Sequence, residues 1–208
     1  MYIPSKFKVD DAGKLAQFMA ANSFATVITE AEGKPFASHL PLLFEPDFAP
    51  SGKLLGHMAR ANAQWRHFAD GREVLVIFQG PHAYISPRWY GAGIEVPTWN
   101  YAVVHAYGTP HVMNEDARFE SLLHRTIRFY EGDGPDAWPG NLPPDFTHDL
   151  MRAIVGFEIH VTHLEGKFKL GQNRSAEDRA GVYAALSRST DDQQTKVAAL
   201  MRSEGLVP

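Results

Sequence analysis

Residues 24–29 read Phe24-Ala-Thr-Val-Ile-Thr29, and the pair Glu32-Gly33 separates them from a second extended segment, Pro35 to Leu43. Aromatic and β-branched residues favour strands, and a short break containing glycine between two such runs favours a hairpin. We therefore predict two antiparallel neighbours. The hairpin bears on fold class because its strands follow each other with no helix between them.

The rest of the chain continues this pattern. Further strands are predicted at Lys53 to Met58, Glu73 to Gln79, Ala83 to Ser86, Tyr101 to His111 and Ala153 to Leu164. Helices are predicted at Asp10 (as N-cap) to Ala21, Ala61 to Phe68, Asp116 to Tyr130, Phe146 to Met151, Ala176 to Ser187 and Asp191 to Ser203. Strands that neighbour one another indicate a mainly β fold, an antiparallel sheet or barrel with peripheral helices, and argue against a doubly wound parallel sheet.

Composition indicates a folded globular chain. Its 208 residues are 44% apolar and 21% charged, which is enough for one buried core. No run of about 18 apolar residues predicts a membrane span, and the N-terminus lacks the apolar segment of a signal peptide. Because there are no cysteines, disulfides and thiolate metal sites are excluded. We expect a cytoplasmic protein.

The motifs of common enzyme classes are missing. Neither G-x-G-x-x-G before a helix nor a P-loop occurs, so any nucleotide must be held by a barrel. His160 and His163 are three apart on a predicted strand and point to opposite faces, and H-E-x-x-H is absent, so no metal site is predicted. No catalytic acid, base or nucleophile is identified.

Charge argues against a broad nucleic-acid surface. Lys and Arg total 20 against 24 Asp and Glu, for a net charge of -4. DNA-binding domains neutralise several phosphates and usually carry a basic balance. The two C-terminal helices carry mixed charges, so we expect them to pack on the barrel or on a dimer partner, although they could mimic a helix-turn-helix.

Two segments together predict a ligand site. Val96-Pro-Thr-Trp-Asn-Tyr101 places the Trp99 ring beside Thr98 and Asn100. The second segment, Leu164 to Arg174, supplies further polar and cationic groups: Lys167, Lys169, Gln172 and Arg174. A flat heteroaromatic ligand with a phosphate needs an apolar surface and positive donors. The alternatives are an edge strand protected by solvated lysines and aromatics that fill a core or a subunit interface.

A third candidate lies where a predicted strand leads into a helix. His57, Arg60 and Asn62 are found there, and a helix N-terminus attracts anions. Arg60 is a phosphate candidate, and Asn62 can cap the helix, which is also the alternative role for this segment. Ser38 and His39 lie on the second strand of the hairpin, where a buried histidine is the commoner outcome.

Seven blocks resemble one known family. They are Met1-Tyr-Ile-Pro4, Ala37-Ser-His-Leu-Pro41, Gly56-His-Met-Ala-Arg-Ala-Asn62, Phe78-Gln-Gly-Pro-His-Ala-Tyr-Ile-Ser-Pro87, Val96-Pro-Thr-Trp-Asn-Tyr101, Arg152-Ala-Ile-Val-Gly-Phe-Glu158 and Leu164-Glu-Gly-Lys-Phe-Lys-Leu170. In this order they resemble the PaiB-type FMN-binding negative transcriptional regulators. The chain departs from the family pattern at Gly171, where a serine is usual, and in the loop between Tyr90 and Val96, which is shorter than is common.

The resemblance implies a split β-barrel related to the pyridoxamine phosphate oxidases. It also implies a homodimer that binds FMN in grooves at the subunit interface, with a barrel domain over residues 1–164 and a basic strand and helices over 165–208. On this basis Ser38, His39 and the His57 to Asn62 block line one side of a groove. The Pro97 to Tyr101 block and the basic tail close it.

Function remains open among three classes at this point. The resemblance implies a negative transcriptional regulator, for which direct DNA contact has weak support from charge. A flavin-dependent oxidoreductase without DNA binding is the first alternative, since the flavin itself carries the electron chemistry. A haem-handling split barrel is the second, because the chain contains 10 histidines.

Overall fold

A computed structural model describes residues 1–91, 95–140 and 143–208. The chain forms two compact units. The first unit comprises residues 1–18, 79–104 and 165–208, and the second comprises 19–78 and 105–164.

The described residues form eight β-strands: β1 Lys8–Val9, β2 Phe24–Ala31, β3 Lys34–Pro41, β4 Leu43–Glu45, β5 Lys53–Ala59, β6 Val74–Ile85, β7 Thr98–Val112 and β8 Ile154–Lys169. They also form five α-helices: α1 Ala12–Ala21, α2 Asp116–Glu131, α3 Pro144–Arg152, α4 Ala176–Ser187 and α5 Asp192–Ser203. Short 3₁₀ helices lie at Ser5–Phe7, Ala63–Asp70 and Pro87–Trp89.

The strands form one sheet in the order β3-β2-β6-β7-β8-β5-β4, and β1 pairs with β8. The predicted antiparallel, mainly β fold with helices is confirmed. The hairpin is confirmed as well, since β2 and β3 pair from Phe24 opposite Pro41 to Ala31 opposite Lys34. β3 ends the sheet and is largely exposed.

Alternating burial gives the second unit its core. On β2, Ala25, Val27 and Thr29 are buried, as expected for a strand with one face covered. A separate apolar cluster joins α2 to the adjacent strands through Leu43, Leu55, Phe119 and Leu122. At about 25 cal/mol per Å² of apolar surface removed from water, such burial dominates the stabilisation of the unit.

The first unit is built around the packing of α4 and α5. Buried side chains on these helices include Val182 and Leu186 on α4 and Val197, Ala198 and Met201 on α5. The predicted bounds of α4 are confirmed, with Ser175 as N-cap accepting from the Asp178 amide at 3.0 Å. The two helices thus pack within the first unit.

Several predicted boundaries were wrong. The carboxylate that caps α1 is that of Asp11, which accepts from the Lys14 amide at 2.8 Å, and not that of Asp10. The strands predicted at Glu73 to Gln79 and Ala83 to Ser86 are one strand, β6. Pairing of β6 with β2 covers only Leu75 to Ile77. Pro81, which has no backbone N–H to donate, lies beyond this paired part.

The run at the start of β6 was predicted to be buried on both faces, but Leu75 and Ile77 are only half-buried. The predicted loop from Pro87 to Pro97 contains a 3₁₀ helix, and its residues 92–94 lie outside the described residues. Residues 141 and 142 of the loop predicted from Glu131 to Pro144 lie outside them too.

The described part of the chain contains no helix that combines the length and the hydropathy needed to cross a membrane.

Candidate functional site

A cleft rich in cations lies in the first unit, where β8 ends and the chain turns into α4. We call it the cationic cleft. Its lining residues include Thr98, Asn100, Lys169, Asn173, Arg174 and Arg179. Lys169 Nζ donates to the Thr98 hydroxyl and, at 2.7 Å, to the Trp99 carbonyl oxygen. These bonds use two of the three ammonium donors, and they hold the charge at the cleft.

Electrostatics make this cleft receptive to an anion. Burial lowers the pKa of Lys169, and the positive charges of Lys167 and Arg174 lower it further. Like charges that crowd a half-buried ammonium raise the free energy of its charged form. A bound anion relieves that repulsion.

Arg174 forms the opposite side of the cleft and is partly neutralised. Its Nη1 lies 2.6 Å from the Glu95 carboxylate, and its guanidinium lies 4.6 Å from the centre of the Tyr90 ring. The hydrogen bond to Glu95 is the main reason that the pKa of Arg174 is raised. Glu95 therefore competes with any anionic ligand for this guanidinium.

The turn before α4 has a specific backbone. Gly171 has φ +88, a conformation that side chains with a Cβ rarely adopt. Gln172 clamps the same turn, because its Nε2 donates to the Phe168 carbonyl at 2.6 Å and its Oε1 accepts from the Leu170 amide at 2.8 Å. Gly171 thus has a backbone role, which the sequence comparison with a serine did not reveal.

Helix α4 also anchors the wall that carries Tyr90. Asp178 accepts a hydrogen bond from the Gly91 amide at 2.9 Å, which is the first cause of the lowered pKa of its carboxyl. A Cβ on Gly181 would lie 2.2 Å from the carbonyl oxygen of Trp89. The absence of a side chain at Gly181 therefore permits the close approach between α4 and the 3₁₀ helix.

Several cleft residues were missed from sequence, Asp178 among them. Asn173 and Arg179 line the cleft, and Tyr90 contacts Arg174. Arg179 donates to the carbonyls of Leu206 at 2.9 Å and Arg174 at 2.7 Å. Asn173 was detectable from its place beside Gln172. Arg179 was not, because only the packing of α4 brings it to the cleft.

Lys167 lies apart from the cleft lining. It is buried, donates to the Tyr2 carbonyl at 3.0 Å, and its ammonium lies 5.5 Å from the Tyr2 ring and 5.2 Å from the Tyr101 ring. Lys167 and Lys169 share one strand face, as the two-residue period of a strand predicts. The structure nevertheless gives them different partners.

An exposed aromatic patch is carried by β7 and β6 in the first unit. Trp99 is 52% exposed, and its ring centre lies 6.1 Å from that of His82 and 6.1 Å from that of Tyr84. The alternative that Trp99 fills a core is wrong. Its neighbour Asn100 is buried and lines the cationic cleft.

The remaining predicted site residues belong to the second unit. Asn62 caps the 3₁₀ helix by accepting from the Gln64 amide at 3.0 Å, as predicted, and its Nδ2 donates to Ser38 Oγ at 2.8 Å. Arg60 donates to the carbonyls of Arg152 at 2.7 Å and Ile154 at 2.8 Å. Two of the guanidinium donors of Arg60 are thus bound to backbone.

The two histidines of this group differ in environment. His39 is exposed, which overturns the expectation of a buried histidine, and its Nδ1 lies 3.0 Å from Thr26 Oγ1. His57 on β5 is half-buried, and burial lowers its pKa. Within the described ranges, no group of three or more His, Asp or Glu is placed to hold a metal ion.

Comparison with known proteins places the chain in a family. Residues 1–163 match the family described as "Putative FMN-binding domain". The chain is also 40% identical over 205 residues to the protease synthase and sporulation protein PAI 2 of Bacillus subtilis (strain 168), with 98% of each chain covered. The chain belongs to this FMN-binding family. The resemblance to PaiB-type proteins is confirmed, and FMN is the cofactor that the family implies.

Solved structures support the split-barrel fold of the family. The flavocytochrome Anf3 from Azotobacter vinelandii has a TM-score of 0.63 at 14% identity, over 78% of this chain and 69% of that one. The FAD and heme binding protein from Mycobacterium smegmatis has a TM-score of 0.56 at 19% identity, over 83% and 78%. These similarities concern the fold alone.

The residues of the cationic cleft suit the phosphate of FMN. A phosphate matches charge-assisted donors such as Lys169 and Arg174. After burial, the positive charges of Lys167 and Arg174 lower the pKa of Lys169 further, and a bound phosphate would offset them. The cavity volume, about 50 Å³, is too small for a whole nucleotide, since ligand sites usually measure several hundred Å³. The cleft can hold one end of the cofactor.

Proposed function

We propose that this protein is a cytoplasmic homodimer that binds FMN and acts as a negative transcriptional regulator of the PaiB type. Membership of the FMN-binding family and 40% identity to the PAI 2 protein support this proposal. In it, residues 1–164 form the barrel domain, and residues 165–208 supply the basic strand and helices that complete it.

The observation that carries the proposal is the position of Lys169. Its ammonium is fixed by Thr98 and Trp99, half-buried, and repelled by Lys167 and Arg174. An FMN phosphate placed there gains charged hydrogen bonds and removes the repulsion. Asn100, Asn173 and Arg179, which also line the cleft, supply further polar groups.

The flavin ring is proposed to lie on the exposed aromatic patch. Trp99, on the strand that also carries Thr98, and Tyr84 on β6 give a large apolar surface. Ser38, His39, Arg60 and Asn62 are also proposed to contact the cofactor, whereas His57 lines a separate cavity of the second unit. When bound, FMN supplies one- or two-electron transfer, while the protein orients the ring and holds the phosphate.

Exposed aromatic residues support the homodimer. Trp99 and Tyr84 in the first unit, and Phe24 and Phe36 in the second, leave much of their rings exposed. Aromatic residues are enriched at subunit interfaces relative to the rest of a protein surface. A partner subunit over these residues would remove them from water and enclose the flavin.

A second candidate function is a flavin-dependent oxidoreductase that does not contact DNA. It is favoured by the net charge of -4 and by the buried faces of α4 and α5, which pack within the first unit. A salt-dependent gel shift with the promoter region of a target gene supports the regulator. Absence of binding at low salt, together with flavin reduction by NADH or NADPH, supports the oxidoreductase.

The cofactor site is tested by titration with FMN and with riboflavin, which lacks the phosphate. In the double variant Lys169→Ala and Arg174→Ala, FMN binding is expected to weaken by about 2–4 kcal/mol, as for the loss of two charged hydrogen bonds. Riboflavin affinity is expected to stay the same, as is FMN affinity in the control Lys196→Ala at an exposed position of α5. Equal FMN affinity in the double variant and the parent protein overturns the phosphate site.

A further inference from the structure

The second unit contains a cavity of about 690 Å³ beside helices α2 and α3. We call it the helical cavity. Its size lies within the range of small-molecule sites, roughly 300–1,000 Å³. It shares no lining residue with the cationic cleft, and none of its lining residues is among the proposed cofactor contacts.

Apolar side chains provide most of the walls of the helical cavity. They are Leu123 and Ile127 on α2, Leu150 and Met151 on α3, and Ile154 at the start of β8. Leu150 remains 45% exposed although it lines the cavity. A ligand with an apolar body would cover this surface, at about 25 cal/mol per Å² removed from water.

The polar residues of the lining disfavour negatively charged ligands. Asp116 and Glu120 contribute carboxylates, and among the described lining residues there is no Lys or Arg. His57 presents an imidazole whose burial lowers its pKa, so it is uncharged at neutral pH. His124, also in the lining, lies 3.8 Å from the Glu120 carboxylate. An anion entering the cavity meets carboxylates without a fixed cation to compensate them.

We propose that the helical cavity is a binding site for an uncharged, largely apolar small molecule, and that it rejects organic anions, flavin phosphates included. The apolar walls favour such a ligand, and the neutral imidazole of His57 offers it one hydrogen bond. The two carboxylates exclude negatively charged ligands.

The test uses two fluorescent probes with the same aromatic body. N-phenylnaphthylamine is uncharged, and anilinonaphthalene sulfonate carries one negative charge. The uncharged probe is expected to bind the full-length protein at least about tenfold more tightly, a difference of about 1.4 kcal/mol. Equal or tighter binding of the sulfonate overturns the charge argument, and no binding of either probe overturns the site.

Two variants locate the binding. Ile127→Trp fills the cavity from a half-buried position and is expected to abolish the signal of the uncharged probe, while FMN affinity and the circular dichroism spectrum stay the same. Glu120→Lys, at an exposed position, is expected to raise the affinity for the sulfonate by up to about tenfold. The affinity for the uncharged probe should stay the same. The control Glu115→Lys, at the N-cap of α2 and outside the lining, should change neither.

Probe binding that survives Ile127→Trp in a folded protein contradicts the proposal. So does an identical sulfonate affinity in Glu120→Lys and Glu115→Lys. Because FMN titration is measured on the same samples, failure of the helical cavity is distinguished from failure of the cofactor site.

Discussion

Lys169 and Trp99 are joined by a hydrogen bond of 2.7 Å from the lysine Nζ to the tryptophan carbonyl oxygen. The bond holds the ammonium against β7, the strand that also carries the exposed indole ring of Trp99. A charge for a phosphate and a surface for a planar ring are therefore held by one backbone. Flavin mononucleotide carries this pair of groups, and the predictions below begin from it.

Glu95→Gln is expected to tighten FMN binding. The Glu95 carboxylate lies 2.6 Å from Arg174 and competes with the phosphate for its guanidinium. Removing the negative charge should improve FMN affinity by about 1 kcal/mol, as for a partly exposed ion pair. Fluorescence titration measures the change, with riboflavin and the exposed Glu115→Gln as controls. Weaker FMN binding in Glu95→Gln would show that Glu95 orients Arg174 for the ligand instead of competing with it.

FMN affinity should fall at alkaline pH earlier than an ordinary lysine predicts. Burial and the charges of Lys167 and Arg174 lower the pKa of Lys169 from 10.5, and a bound phosphate raises it again. Binding is therefore strongest below the lowered pKa and weakens as pH rises through it. Titrations from about pH 7 to about pH 10 check this, since lysine normally titrates above that range.

Riboflavin is the control for that profile, because ionisation of the flavin ring affects both ligands equally. The variant Lys169→Met should bind FMN more weakly and lose the alkaline decline. A decline of the same size in Lys169→Met assigns the pH dependence to another group.

His57→Gln should flatten the loss of stability in mild acid. Burial lowers the pKa of His57 from 6.5, so the unfolded chain takes up a proton at this residue before the folded one does. Its contribution to stability is complete above the unfolded pKa and is lost as pH falls from there through the lower folded pKa. The slope is at most about 1.4 kcal/mol per pH unit. Urea unfolding at neutral pH and in mild acid measures this pH dependence of the free energy of unfolding, with the exposed His124→Gln as control. A slope unchanged by His57→Gln contradicts the assignment.

Gly171→Ser is expected to destabilise the protein by about 1–2 kcal/mol, because a side chain would be forced into the left-handed region at φ +88. FMN affinity should not improve, although the serine adds a hydroxyl. Thermal unfolding and flavin titration check the two statements. Gly134→Ser is the matched control, since no described atom lies within 4 Å of its added Cβ. Tighter FMN binding in Gly171→Ser would show that the turn tolerates serine.

Much of the fold could be predicted because the signals are local. The β2–β3 hairpin follows from the β-branched run of Phe24 to Thr29 and the glycine-containing break at Glu32-Gly33, and α4 follows from the Ser175 cap. The failures have local causes too. The strand predicted to end at Gln79 continues through Gly80-Pro81. Pairing of β6 with β2 stops at Ile77, so the proline interrupts no hydrogen bond to β2.

The sequence predicted several residues of the site, but not the hydrogen-bond partner of each one. Lys169, Arg174, Thr98 and Asn100 all line the cationic cleft. Lys167, on the same strand face, instead donates to the Tyr2 carbonyl. A sequence shows which donor groups are present. The acceptors of these lysine donors lie in distant parts of the chain, so the sequence does not show which donors remain for a ligand.

The amino-acid sequence by itself determined that the chain pairs antiparallel strands, belongs to a flavin-binding family and carries a cluster of cations before α4. These properties depend on residue type and short-range order along the chain. Only the tertiary structure decided that Glu95 neutralises Arg174 and that the helical cavity lacks a cation among its described lining residues. Electrostatic energies depend on distance and burial, and packing brings together residues far apart in the chain.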